Sequence, residues 1–162
     1  MIQVNVAKGH DPAVSRRARR AAKVLLVDER GRVLLFCGID RTRPEDPPWW
    51  FAVGGELESG EDPAAAAVRE VFEETGLRIS DPGPEITTRR FAFDFEGSAY
   101  DQEETYFLVR TGEFVPTAAG WSDTERATMT GHRWWSIDEL RATNETVYPE
   151  GLAELLEQLL AP

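Results

Sequence analysis

The chain has 162 residues, 41% of them hydrophobic, with 29 Asp and Glu against 18 Lys and Arg and a formal net charge of −11. That length suits one domain with a real core, and that charge argues against a nonspecific nucleic-acid binder, which needs basic surface to neutralise phosphates. A phosphate-bearing substrate would be repelled by the same field unless a cation stood between the two.

Residues 1–15 are polar, include Gly9 and Pro12, and read as a loosely held lead-in to a single domain at residues 16–162. Their lack of a long apolar stretch leads us to expect neither a signal peptide nor a membrane partner, with a cytoplasmic location as the default. Arg16, Arg17, Arg19 and Arg20 then form a small basic run. It reads first as a solvated strand edge or a contact in a homodimer, and second as a set of bidentate donors for substrate phosphates.

Residues 21–27 and 32–37 are apolar, β-branched-rich runs separated by Asp-Glu-Arg-Gly, the pattern of two strands joined by a turn. The single cysteine, Cys37, lies in the second run, has no His or Asn beside it, and is expected as a core thiol. Residues 39–48 are polar and proline-bearing, a loop. Trp49 and Trp50 open a further strand that runs directly into Gly54 and Gly55.

After an acidic turn comes a helix whose limits are legible. Asp62 suits the N-cap and Pro63 the first helical position, four alanines follow, and Gly76 can take the left-handed conformation just past the end. At about 100° per residue, with Glu70 at zero, Glu74 lies near +40° and Glu73 near −60°. Ala64, Ala67, Val68, Val71, Phe72 and Thr75 fall between about +60° and +220°, which makes that the face expected to bury. Arg69 stands one turn before Glu73 and can pair with it. Carboxylates at this spacing repel one another, so the cluster reads either as an ordinary acidic surface helix or as a site neutralised by a hard divalent cation such as Mg2+ or Mn2+.

Downstream, residues 77–79 read as a short strand, 81–84 as a loop, and 86–95 as a strand with Phe91, Phe93 and Phe95 at period two. Residues 100–109 are its antiparallel partner, 111–124 a loop, and 126–135 another strand. Ser136 with Glu139 three residues on forms a capping box, and residues 149–160 make a C-terminal amphipathic helix. Two strand groups with helices between and after them give an α/β class. No repeat, low-complexity tract or second domain is evident.

Gly55, Glu61, Arg69, Glu70, Val71, Glu73, Glu74, Gly76 and Leu77 fit the pattern G-x5-E-x7-R-E-U-x-E-E-x-G-U, where U is a bulky aliphatic residue. The fixed positions should coincide by chance in well under about one chain in ten thousand. The pattern is the Nudix box, and the chain resembles the Nudix hydrolases, the MutT-like pyrophosphohydrolases, over these 23 residues. The resemblance implies a Nudix-type α/β/α sandwich around a mixed β-sheet. It implies Mg2+-dependent (or Mn2+-dependent) hydrolysis of a pyrophosphate bond in a nucleoside diphosphate derivative, with a nucleoside di- or triphosphate ahead of a nucleotide sugar or ADP-ribose. The rival is a non-catalytic nucleotide-binding or regulatory module of the same fold.

By the same resemblance, Glu70 and Glu74 are the leading metal ligands, with Glu73 helping directly or through water and Glu70 alternatively serving as general base. Arg69 would orient Glu73, Gly55 would allow close backbone approach, and the carbonyl of Gly54 would be a backbone ligand. Glu61 is expected to hold the loop. Many relatives have proline where this chain has Val53. Some use a further acid beyond the box, for which Glu103, Glu104, Asp123 and Glu125 are candidates, each read first as a solvated charge. Neither the proline nor the tyrosine that marks two substrate subfamilies stands around residues 91–94, and no coenzyme A signature is evident upstream. Trp49, Trp50, Tyr100 and Trp134 could stack on a base but read first as core or sheet surface, and His10 and His132 read as structural.

Overall fold

In a computed structural model the fold is described for residues 14–162, so the expected lead-in lies, but for its last two residues, outside the described residues, as does His10. The elements run β1 (Arg17–Val27), β2 (Val33–Gly38), β3 (Trp49–Glu56), α1 (Pro63–Thr75), β4 (Thr87–Phe95) and β5 (Ser98–Arg110). Then follow α2 (Asp123–Thr128), β6 (Met129–Trp135), α3 (Ile137–Ala142), β7 (Thr146–Val147) and α4 (Leu152–Leu160). No helix among the described residues is long and apolar enough to cross a membrane.

The strands form one mixed sheet in the order β4-β5-β1-β2-β3-β7, with β6 added on β2 and a further pairing of β1 with β3. β1 runs parallel to β5 and β3 parallel to β7, while the other pairs are antiparallel. Alternation along a strand sends successive side chains to opposite faces. In β1, Ala22, Val24 and Leu26 join Ala66, Ala67 and Val71 of α1, while Leu25 and Val27 join Leu152 and Leu156 of α4. The layers are therefore helix, mixed sheet, helix, as the expected sandwich requires.

Local chemistry explains the joints that place the site. Asp28 closes the first hairpin, its Oδ1 accepting from the amides of Arg30 and Arg32 at 2.9 Å each. Between β4 and β5 the two-residue turn Glu96-Gly97 has φ of 49° and 82°, the doubly left-handed geometry that matches strand twist. Asp62 caps α1 by accepting from the Ala65 amide at 2.8 Å, and Gly76 ends it at φ 80°.

Four expectations need correction. Residues 77–79 form no strand, because the chain leaves α1 to pack Leu77 and Ile79 against the core. The strand expected at 126–135 begins only at Met129, since a capping box at Ser122 winds Asp123–Thr128 into α2. The C-terminal helix starts at Leu152, after a left-handed Gly151. β1 extends four residues earlier than its apolar run, through the arginines, because β5 offers a parallel partner along its whole length.

Candidate active site

The packing of α1 turns its carboxylates inward. Its buried positions are Ala66, Ala67, Glu70, Val71, Glu74 and Thr75, so Glu70 and Glu74 lie within the buried stripe and not at its border. Phe72, expected on the buried face, is 41% exposed and lies beneath the guanidinium of Arg78. The apolar residues alone misplace the stripe because the sheet offers glycines where the carboxylates enter. The Gly54 amide donates to Glu74 Oε2 at 3.1 Å. A side chain at Gly55 would collide with the Glu70 carboxylate, which fills the space that glycine leaves.

Arg69 uses every guanidinium hydrogen. Nε and Nη2 donate to the two oxygens of Glu61 at 2.8 and 2.7 Å, and Nη2 also reaches the Glu56 carbonyl at 3.0 Å. Nη1 donates to Glu70 Oε1 at 2.8 Å and Glu73 Oε2 at 3.0 Å. Arg69 thus ties the loop acid Glu61 to both helix acids, a wider role than the pairing with Glu73 that spacing suggested. Glu61 also accepts from the Glu58 amide at 3.0 Å, which fits its expected part in holding the loop. Its bond to Arg69 draws the Glu61 carboxyl below the usual range.

A third acid arrives from outside the helix. The Trp121 indole donates to the Glu74 carbonyl at 2.7 Å and the Thr117 amide to the Thr75 carbonyl at 3.0 Å, which fastens the 111–122 loop to the end of α1. α2 follows at once, its Ser122 amide bound to Glu125 Oε1 at 2.8 Å. Carboxylate oxygens of Glu70, Glu74 and Glu125 come within 4.8 Å of one another. Glu73 sits at the rim, its side chain 42% exposed, outside that triad.

Electrostatics follow from burial. Burial pushes the Glu70 carboxyl up against the pull of Arg69. Burial, with Glu70 nearby, raises Glu74 to about 8. Burial also raises Glu125, but hydrogen bonds from the Ser122 amide and from Glu74 outweigh it, and the net shift is downward. Burial thus favours the protonated form of Glu74, whose proton can bridge to Glu125. All-oxygen donors held this close are a set a hard divalent cation fits, with the cation taking the place of that proton.

Of the other candidate acids, Glu103 pairs with Arg90 and, at 3.6 Å, with Arg20, and Asp123 is exposed. Glu104 is not a solvated charge: it is wholly buried and accepts from Tyr106 Oη and from Gln102 Nε2. Nor is Glu125, the residue the box pattern misses. Its signal in the sequence is the Ser122-x-x-Glu125 spacing, the same cap that is legible at Ser136.

The carboxylates line a cavity of about 430 Å³ whose wall also carries Phe95, Tyr100, Met129 and Arg19. Tyr100 is the one candidate aromatic in that wall. Trp49 is buried in the core, Trp50 packs on Trp135 and Trp134 on Phe114. His132 packs edge-on against Phe36, and Cys37 is half-buried, its thiol pushed up by burial. A second groove of about 1180 Å³ shares Arg19 and Glu56 with the cavity.

The family model described as NUDIX domain matches residues 17–159. A curated relative, the dihydroneopterin triphosphate diphosphatase of Haemophilus influenzae, is 33% identical over 73 residues, which is 45% of this chain and 43% of that protein. The RNA pyrophosphohydrolase of Rhodospirillum rubrum is 27% identical over 154 residues, 85% of this chain and 86% of that one. Several other curated relatives are spanned by the chain over only 16% to 57% of their length. Among solved structures, the MutT NUDIX hydrolase from Burkholderia pseudomallei aligns with a TM-score of 0.60 at 19% identity, over 89% of this chain and 99% of that one, a likeness of fold.

Proposed function

The chain belongs to the NUDIX family, and on that premise we propose that it hydrolyses a pyrophosphate bond in a nucleotide-type diphosphate with the help of a divalent cation, Mg2+ or Mn2+. The observation that carries the reading is the convergence of Glu70, Glu74 and Glu125 within 4.8 Å in the lining of a cavity large enough for a phosphate-bearing ligand. These three carboxylates would hold the cation, with the Gly54 carbonyl as a further oxygen. When bound, such a cation acidifies water and neutralises phosphate oxygens.

The chain's own groups do the rest. Arg69 fixes Glu70 and Glu73 from one guanidinium, so the two cannot swing independently. Glu73, at the rim and more open than the triad, is the carboxylate left to take the proton of the attacking water. Burial excludes bulk water from Glu74, while Phe95, Tyr100 and Met129 give an apolar surface on which a base can lie. Relatives named as a triphosphate diphosphatase and a pyrophosphohydrolase support this bond class. The net charge of −11 favours a small nucleotide over a nucleic-acid chain.

The test is a screen with Mg2+ and Mn2+ across nucleoside di- and triphosphates, nucleotide sugars, ADP-ribose, dinucleoside polyphosphates and a 5′-triphosphorylated RNA, with products identified. Glu70→Gln and Glu74→Gln should each lower turnover at least about a hundredfold in folded protein. Unchanged activity in both variants would sink the mechanism. Tight binding without cleavage would instead identify a binding module.

A further inference from the structure

The cavity is lined by six carboxylates, those of Glu56, Glu70, Glu73, Glu74, Glu96 and Glu125, and by one cationic side chain among the described residues, Arg19. The other members of its basic run are engaged elsewhere. Arg16 binds Asp94 and two carbonyls, Arg17 binds Glu56, and Arg20 faces Glu103. Arg19 is only 14% exposed, yet its Nε is buried without a hydrogen-bond partner. The nearest carboxylate oxygen, Glu56 Oε2, stands 3.6 Å away, and the other oxygen of Glu56 is taken by Arg17 at 3.0 Å. The Tyr100 ring backs the guanidinium, 4.8 Å from it.

A planar fork with unused donors, clamped on one side by an aromatic ring, matches a phosphate better than any neutral group, because only an anion compensates a desolvated charge. Burial is the main influence on the guanidinium and weakens its hold on its proton, with Glu56 offsetting this only in part. Glu56 follows Gly55, whose missing side chain leaves room for Glu70. Arg19 therefore lies where the end of β3 meets the carboxylate cluster.

Resting on the hydrolase reading above, we propose that Arg19 is a substrate-binding residue that grips a phosphate of the nucleotide-type diphosphate, with Tyr100 as its backing plate. The bland alternative is a structural ion pair with Glu56. An ion pair of that kind would act on stability, whereas a phosphate clamp acts on anion affinity.

Calorimetry with inorganic pyrophosphate in Mg2+, on the full chain, separates the two. Arg19→Ala should weaken pyrophosphate at least about tenfold, the scale of one lost charge-assisted contact. Arg19→Lys should lose less, since it keeps the charge but not the fork. Mn2+ binding without pyrophosphate should stay within about threefold of the wild type, and KM for a cleaved nucleotide should rise more than kcat falls. Wild-type pyrophosphate affinity in Arg19→Ala overturns the proposal. So does an equal loss of Mn2+ affinity, and so does a wild type that binds no pyrophosphate. If Arg19→Ala weakens pyrophosphate while no nucleotide is ever cleaved, the hydrolase reading falls and the anion clamp stands. If Glu70→Gln abolishes turnover and Arg19→Ala keeps its KM, the reverse holds.

Discussion

A β-carbon placed on Gly55 would stand 2.4 Å from Oε1 of Glu70, with both other carboxyl atoms within 2.6 Å. The obstruction is the movable end of a side chain, so Gly55→Ala should fold and displace the carboxylate. We expect turnover to fall at least about tenfold with the melting temperature within a few degrees of wild type. Its neighbour fails differently. At Gly54, φ is 142° and a β-carbon would lie 2.0 Å from the Ala22 carbonyl oxygen, an obstruction of backbone. Gly54→Ala should cost about 3 kcal/mol or more of stability, read as a large drop in melting temperature or insoluble expression. The pair separates damage to the site from damage to the sheet.

Glu74 makes stability depend on pH with an unusual sign. Its carboxyl is raised from 4.5 to about 8, so between those values the folded state holds a proton that the unfolded state has lost. Stability in the presence of EDTA should therefore fall as pH rises through that window and level off above it. Glu74→Gln should remove this component, which is best read as the difference between wild-type and variant melting curves. Mn2+ affinity should rise with pH over the same interval, because the cation must displace the proton.

Arg69→Lys replaces five fixed donors by three on a point charge. Lysine cannot serve Glu61, Glu70, Glu73 and the Glu56 carbonyl together, contacts that the guanidinium makes at 2.7 to 3.0 Å. The expected loss is about 10- to 100-fold in Mn2+ affinity or turnover, with thermal unfolding shifted down as well. A variant with wild-type metal affinity would show that Glu70 and Glu73 need no tether.

Tyr106→Phe tests a buried polar network outside the triad. Glu104 is wholly buried and would keep only Gln102 as a donor. The variant should lose about 1–3 kcal/mol in denaturant unfolding, with kcat unchanged. A fall in kcat at constant stability would tie the Glu104 network to the chemistry.

What the sequence disclosed follows the range of the forces involved. Asp62, Pro63 and Gly76 act on their own turns, so the limits of α1 are legible residue by residue. The rotation of that helix is not, because it depends on Gly54 and Gly55 across the interface, and hydrophobicity alone sent Phe72 inward. Glu125 was harder still. It is 51 residues from Glu74 in the chain, and only the contacts of Thr117 and Trp121 with the end of α1 bring it home. Among the four arginines, position in the run said nothing of which would face the cavity. The register of β1 against β3 and β5 decides that.

One oxygen of Glu125 holds the start of a six-residue helix, while the same carboxylate completes the cluster that lines the cavity. Helices this short do not persist alone, whereas Glu70 and Glu74 ride on thirteen residues packed against the sheet. Fraying of α2 would therefore carry the third carboxylate away with it, and amide hydrogen exchange at Ser122 and Glu125 would clock it. A cation that binds all three acids would slow that exchange at Ser122, which it does not touch, as well as at Glu125, which it holds.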